Sequence, residues 1–231
     1  GCTVPALMAS RALENPRDRY KIMLITPFMS CSARLPIYIL FSQMFFGKYA
    51  MLAAYSMYVI GLLIAILVAY VLHLIDKKEN ENLLLIELPE YKAPSARTVA
   101  IYVWEKVKDF LTKAGTTIFI ASIVMWFLLN FGPSGYTSDM RNSFGAVIGK
   151  WIVPFFAPLG LGYWQIAVAL IAGISAKEVV VSSCAVLFGI SNLNSAAGMA
   201  SLTELLGGMG FGILNAYTLM IFCLLYIPCA A

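Results

Sequence analysis

From Ala50 to Leu72 the chain runs for 23 residues without a single charge. A bilayer core takes about 20 apolar residues as a helix, and no period-two alternation breaks the run to suggest a barrel strand. In lipid every backbone polar group must find its partner within protein, so a chain built of such stretches is confined to helices. Composition extends the reading to the whole chain. Of 231 residues, 61% are hydrophobic and 12% charged, with a mean hydropathy of +0.82, against about 45–50% and 25% in soluble domains. The expected class is all-α, a polytopic helical membrane protein.

A second long apolar stretch, Tyr20 to Phe46, interrupts itself with Pro27, Ser30-Cys31-Ser32, Arg34 and Pro36. Each proline deletes a backbone donor, so carbonyls near Met23 and Ser32 lose their helical partners. Such carbonyls are tolerated at membrane depth only where protein buries them or where they line a wet cavity. Arg34 is costly in lipid and is expected to face the interior or snorkel. The stretch reads as a discontinuous helix at a substrate path. A kinked structural helix is the plainer alternative.

Basic residues orient the chain. Arg11, Arg17, Arg19 and Lys21 form one cluster, and Asp76 to Lys113 carries seven basic and seven acidic residues. Both regions are expected in the cytoplasm, with Gly47-Lys48 an external turn and Ala50 to Leu72 returning inward to His73, an interfacial anchor. This is positive-inside patterning, and no nucleic-acid patch is implied. Leu88-Pro89-Glu90-Tyr91-Lys92-Ala93-Pro94 reads as an extended strap. Thr98 to Thr112 has the spacing of an amphipathic helix lying on the membrane, and Lys113-Ala114-Gly115 should lead from it into a separate span, Thr116 to Phe131. Ala146 to Leu159 is short and carries Pro154 and Pro158, so it could span, re-enter or lie in the interface. Asn192 to Gly212 reads as a Ser, Asn and Gly-rich connection.

A second interrupted span, Trp164 to Ile190, has Lys177-Glu178 at its centre. Neighbours on a helix point about 100° apart, so each charge needs a partner elsewhere or a cavity. The choice lies between an interhelical ion pair and a carboxylate on a cation path. The five cysteines, Cys2, Cys31, Cys184, Cys223 and Cys229, are too scattered for a disulfide framework or a zinc spacing. Phe28-Met29-Ser30-Cys31-Ser32-Ala33 and Tyr226-Ile227-Pro228-Cys229-Ala230-Ala231 form a weak internal repeat. Gly1-Cys2-Thr3-Val4-Pro5-Ala6 and Gly173-Ile174-Ser175-Ala176-Lys177-Glu178 form its companion. Repeats with broken helices at matching positions point to a transport site.

On these residues the chain resembles the membrane domain of the bacterial ferrous iron transport protein B family, FeoB. The resemblance also takes in Arg11-Ala12-Leu13-Glu14, Glu87-Leu88-Pro89-Glu90-Tyr91, Trp104-Glu105-Lys106 and Lys113-Ala114-Gly115. It implies two gate-type repeats with broken transmembrane helices in a multi-pass protein of the bacterial inner membrane. The implied organisation is a first gate region with two spans (1–75), a cytoplasmic strap with its amphipathic helix (76–113), and a second gate region with about three spans (114–231). Fe(II) is the implied cargo. Implied partners are the lipid bilayer, a cytoplasmic GTP-binding domain of the complete protein, small accessory iron-transport proteins and further copies of the chain. The sequence contains no Gly-x-x-x-x-Gly-Lys-Ser/Thr phosphate loop, so no GTP site and no enzyme activity are expected in this chain, which reads as an excised part of a longer protein. Carried over by motif, the candidate metal ligands are Cys2 and Cys31 with Ser30 and Ser32 in the first gate, and Cys229 with Ser175 and Glu178 in the second. Thiolate and carboxylate suit Fe(II), and a permeating ion needs weak, exchangeable ligands. Cys184 and Cys223 fall outside the motifs and read as packing residues. Rival readings are a permease for an organic solute such as a nucleoside and a non-transporting scaffold. An intramembrane cysteine enzyme fits poorly, since its nucleophile would lack a nearby base.

Overall fold

The computed structural model describes residues 3–13, 15–76, 94–133, 135–136, 142–175, 177–190 and 195–226. Cys2, Cys229, the strap from Leu88 to Ala93 and the start of the first small-residue motif lie outside them. The described chain is helical apart from one two-residue ribbon. Its helices are α1 (Thr3–Ala9), α2 (Pro16–Ile25), α3 (Leu35–Phe46), α4 (Ala50–Ile75), α5 (Ala96–Asn130), α6 (Phe144–Phe156), α7 (Trp164–Ser175), α8 (Val179–Phe188), α9 (Ala196–Gly208) and α10 (Ile213–Leu225). The ribbon pairs β1 (Phe131–Gly132) antiparallel with β2 (Gly135–Tyr136) and closes the turn after α5.

The uncharged run forms α4, which shows why it can face lipid and protein together. Ala53, Met57, Gly61 and Ala65 are buried at four-residue spacing, while Met51, Leu52, Tyr55, Leu62, Leu63, Ile66, Leu67 and Tyr70 are exposed. The small residues let α3 and α10 approach closely, the usual solution where lipid removes the hydrophobic drive between helices. Gly47, with φ 48°, makes the turn that leads from α3 into α4.

The core sits where α3 meets α10, α9 and α8, with α7 packed on α8. Ile37, Tyr38, Phe41, Met57, Ile166, Leu170, Leu206, Phe211 and Met220 are packed there. Phe211 touches Phe41, Phe45 and Tyr163 with ring centroids 5.5–6.4 Å apart. The Ser56 and Tyr217 hydroxyls, 3.0 Å apart, tie α4 to α10.

Among the described residues, one helix within Pro16–Ile75 is long and apolar enough to cross a membrane by itself. Two bent pairs pass together, Phe144–Leu159 with Trp164–Ile174 at 102° and Ala197–Gly208 with Ile213–Leu225 at 107°, each a broken span or a re-entrant loop. The structure corrects two expectations. The amphipathic helix and the span after it are one continuous helix, α5, because nothing at Gly115 interrupts the backbone ladder; one lone glycine costs only about 1 kcal/mol. Thr112 and Thr116 also bond back to the carbonyls of Lys108 and Thr112. The connection expected from Asn192 to Gly212 contains α9, started by the Ser195 hydroxyl accepting from Gly198 N–H.

At the end of α4 inferred from charge to be cytoplasmic, Asp76 meets Lys21 at 2.9 Å and Arg17 at 3.5 Å. The Lys21 hydrogen bond, followed by the charges of Lys21 and Arg17, holds the Asp76 carboxyl below the usual range.

Candidate functional site

The break between α2 and α3 begins at Thr26, whose hydroxyl donates to the Ile22 carbonyl at 2.6 Å. Pro27 has no N–H to offer the next turn, so the chain tightens into a 3₁₀ turn over Thr26–Phe28. Met29 and Cys31 are extended, and a second 3₁₀ turn, Ser32–Arg34, leads into α3 with Pro36 in its first turn, where a missing donor costs nothing. The Ser32 carbonyl is not orphaned as the sequence suggested, because Leu35 N–H takes it.

The carbonyls that do need help face Arg34. Its Nη2 donates to the Pro27 carbonyl at 2.9 Å and its Nη1 to Met29 at 3.3 Å. Only 1% of Arg34 is exposed, so it faces the interior and does not snorkel. The planar fork suits two neighbouring oxygens. One turn along α3, the fully buried Tyr38 has Arg34, Cys223, Ser30 and Cys31 as its polar neighbours. Ser30 Oγ, Arg34 Nε and Tyr38 Oη are buried without a hydrogen-bond partner among the described residues. Cys31 is a buried free thiol.

The second break lies between α7 and α8. There the adjacent charges lie in the turn between the two helices and separate, with Lys177 buried and Glu178 exposed. Lys177 Nζ reaches the end of α10, donating to the carbonyls of Cys223 and Tyr226 at 3.3 Å each, and lies 4.3 Å from the Tyr226 ring centroid. Gly173 sits directly against Tyr226 and Val180, with no room for a side chain. The carbonyl oxygens of α10 thus take part in holding the buried Lys177.

Of the motif residues, Ser30 and Cys31 come together at the first break, and Ser32 beside them is exposed. Glu178 is exposed, Ser175 ends α7, and Cys2 and Cys229 lie outside the described residues. Among the described residues no three His, Cys, Asp or Glu side chains converge on a metal position. Motif matching passed over Tyr38, Cys223 and Gly61. Tyr38 was findable as the residue four places after Arg34, on the same helix face. Gly61 was findable as the small residue on α4's buried stripe. A Cβ on Gly61 would stand 2.9 Å from the Phe28 carbonyl oxygen, so α4 rests directly on the break. Cys223 carried no signal, because its role is played by its backbone.

A family model described as nucleoside recognition, the Gate model, matches residues 111–231, and one described as ferrous iron transport protein B C terminus matches residues 54–106. The chain belongs to the Gate-bearing FeoB family. Within it, the Fe(2+) transporter FeoB of Staphylococcus aureus (strain COL) is 42% identical over 231 residues, which is all of this chain and 34% of that protein. The Fe(2+) transporter FeoB of Methanocaldococcus jannaschii is 41% identical over 239 residues, with the same coverage. The Fe(2+) transport protein A/Fe(2+) transporter FeoB fusion protein of Porphyromonas gingivalis is 32% identical over 272 residues, covering all of this chain and 32% of the relative. The chain therefore spans about a third of the length of these FeoB relatives. No solved structure matches it.

Proposed function

We propose that the chain is the gate-bearing membrane part of a ferrous iron permease, and that Fe(II) passes between its two breaks. The observation that carries this is the first break itself: a buried thiol, Cys31, beside the Ser30 hydroxyl, which has no hydrogen-bond partner among the described residues, where an apolar helix is interrupted. A soft sulfur donor with a hard hydroxyl oxygen beside it can hold a borderline ion such as Fe(II) without the tight cage that would stop transport. The names of the FeoB relatives support iron as the cargo.

In this reading Cys31 is the central ligand of the first gate, with Ser30, Ser32 and Cys2 assisting. Cys229, Ser175 and Glu178 serve the second, Glu178 at its exposed rim. The gate regions are 1–75 and 114–231, joined by 76–113, in a multi-pass protein of the bacterial cytoplasmic membrane. A GTP-binding domain of the complete protein supplies the coupling. A small accessory iron-transport protein is a further partner, supported by the fused relative of Porphyromonas gingivalis, and copies of the chain associate in the bilayer.

The test is Fe(II) uptake by proteoliposomes holding the complete protein. Cys31→Ser exchanges a soft thiolate for a hard hydroxyl at nearly constant size. It should lower uptake by more than the roughly tenfold that losing even an outer-shell partner costs a metal site. Cys2→Ser and Cys229→Ser should act alike, and Cys184→Ser, a buried thiol away from the break, should leave uptake near wild type. Normal uptake by Cys31→Ser, or a defect equal to that of Cys184→Ser, would refute the assignment. Because the matching Gate model is described by nucleosides, a nucleoside competitor belongs in the same assay. Competition by it would favour a solute permease.

A further inference from the structure

We propose that an anionic phospholipid seats its phosphate beside Lys150, in a cavity where the elbows of the two bent helix pairs meet. The inference stands whatever cargo the breaks pass.

The α6–α7 pair and the α9–α10 pair turn through 102° and 107°, and their elbows are bonded to one another in both directions. Tyr163, at the first elbow, donates its hydroxyl to the Met209 carbonyl of the second at 2.9 Å. Asn215, on α10, donates its amide back to the Gly160 carbonyl at 3.0 Å. Beside these ties lies a cavity of about 480 Å³, within the roughly 300–1,000 Å³ usual for a bound small molecule. Gly149 brings α6 to its edge. A Cβ there would stand 2.9 Å from the Trp164 carbonyl oxygen, so the next residue, Lys150, is carried to the first turn of α7.

The lining chooses the ligand. Lys150, Trp164 and Gln165 give the cavity an ammonium, an indole and a carboxamide, and Tyr163 gives it an aromatic wall fixed by the bond to Met209. No acidic residue among the described ones lines it, and among the described residues no carboxylate pairs with Lys150. An ammonium with further N–H donors beside it suits a phosphate.

The surroundings choose the source of that phosphate. Ile148, Trp151 and Phe155 follow one another at three- and four-residue spacing on the adjacent face of α6, and all three are exposed. A soluble phosphate would leave this apolar stripe bare, whereas a phospholipid lays its acyl chains along it with the phosphate at the cavity. Lysine and tryptophan side by side also suit the headgroup level of a bilayer, and basic pockets between membrane helices take lipid head groups. Because the walls come from both elbows, the lipid braces one bent pair against the other.

The experiment uses the complete protein, purified in a non-ionic detergent and stripped of native lipid. Phosphatidylglycerol or phosphatidylcholine is added back, and bound lipid is counted by native mass spectrometry. Wild type should keep phosphatidylglycerol in preference to phosphatidylcholine. Lys150→Gln should keep roughly fivefold less of it, the factor one lysine contributes at an anionic surface. Lys150→Arg should keep as much as wild type, and Lys48→Gln, which changes a lysine outside the cavity, should leave retention unchanged. Gln165→Ala should also lower retention, and it decides in the same way if Lys150→Gln does not fold. Phosphatidylglycerol should raise the melting temperature of wild type more than that of Lys150→Gln. Equal retention of the two lipids, or a loss in Lys48→Gln matching that in Lys150→Gln, would overturn the proposal. Displacement of the lipid by glycerol phosphate would assign the cavity to a free phosphate ester and would overturn it too.

Discussion

Gly61→Ala sets two effects of known size against each other on α4. Replacing glycine by alanine within a helix stabilises it by about 1 kcal/mol. Here the new methyl would stand 2.9 Å from the Phe28 carbonyl oxygen, 3.3 Å from Leu224 Cδ1 and 3.5 Å from Ser30 Oγ. The leucine terminus can yield. A backbone oxygen in the break cannot move without disturbing the turn that holds Pro27 and Met29 on Arg34. Overpacking of this kind costs about 1–3 kcal/mol, so it cancels or exceeds the helix gain. Gly115→Ala on α5 supplies the reference, since a Cβ there meets nothing within 4 Å and only the gain applies. The two variants should differ by about 1–3 kcal/mol, at about 2–4 °C per kcal/mol for a unit of this size. The assay is thermal unfolding of the complete protein in detergent, followed by a maleimide dye that reacts as buried thiols such as Cys31, Cys184 and Cys223 are exposed. Gly61→Ala should melt below Gly115→Ala and should also slow Fe(II) uptake. Equal melting temperatures would refute the close seating of α4 on the break.

Arg34→Met strips two buried carbonyls of their donor, at about 1–3 kcal/mol each. It should destabilise the complete protein in the same assay more than Arg34→Lys, which keeps one bond; equal losses would show that the fork is not what holds the break. Asp76 links α2 to α4, and its carboxyl, held low chiefly by Lys21, contributes at pH values above its unfolded range. That contribution should disappear as pH falls through the depressed folded value. Hydrogen exchange over residues 16–25 should therefore quicken in acid or high salt, and Asp76→Asn should exchange quickly at every pH. A wild-type rate unaffected by both acid and salt would remove the latch.

Helical class, the uncharged α4 and the existence of two interruptions were legible because each follows from a local rule. Lipid forbids unpaired backbone, and proline deletes a donor wherever it stands. Arg34 was legible as a charge that must face the interior or snorkel, and packing decided for the interior. Continuity across Lys113-Ala114-Gly115 was misjudged, because a polar-to-apolar change looks like a boundary although nothing in the backbone stops there. The helix over Ala196–Gly208 was hidden by glycines and small polar residues whose low propensity a single good N-terminal hydroxyl and burial of Leu202 and Leu206 override. Which oxygens Arg34 and Lys177 would hold could not be read at all. The carbonyls of Cys223 and Tyr226 are backbone atoms, identical in every residue type, and they meet Lys177 only because α7 turns at the point where α10 ends. The residue pattern left Lys177 a partner or a cavity and Arg34 the interior or the interface; the packed helices made the choice, because a partner 46 residues away is selected by helix packing and leaves no mark on the local pattern.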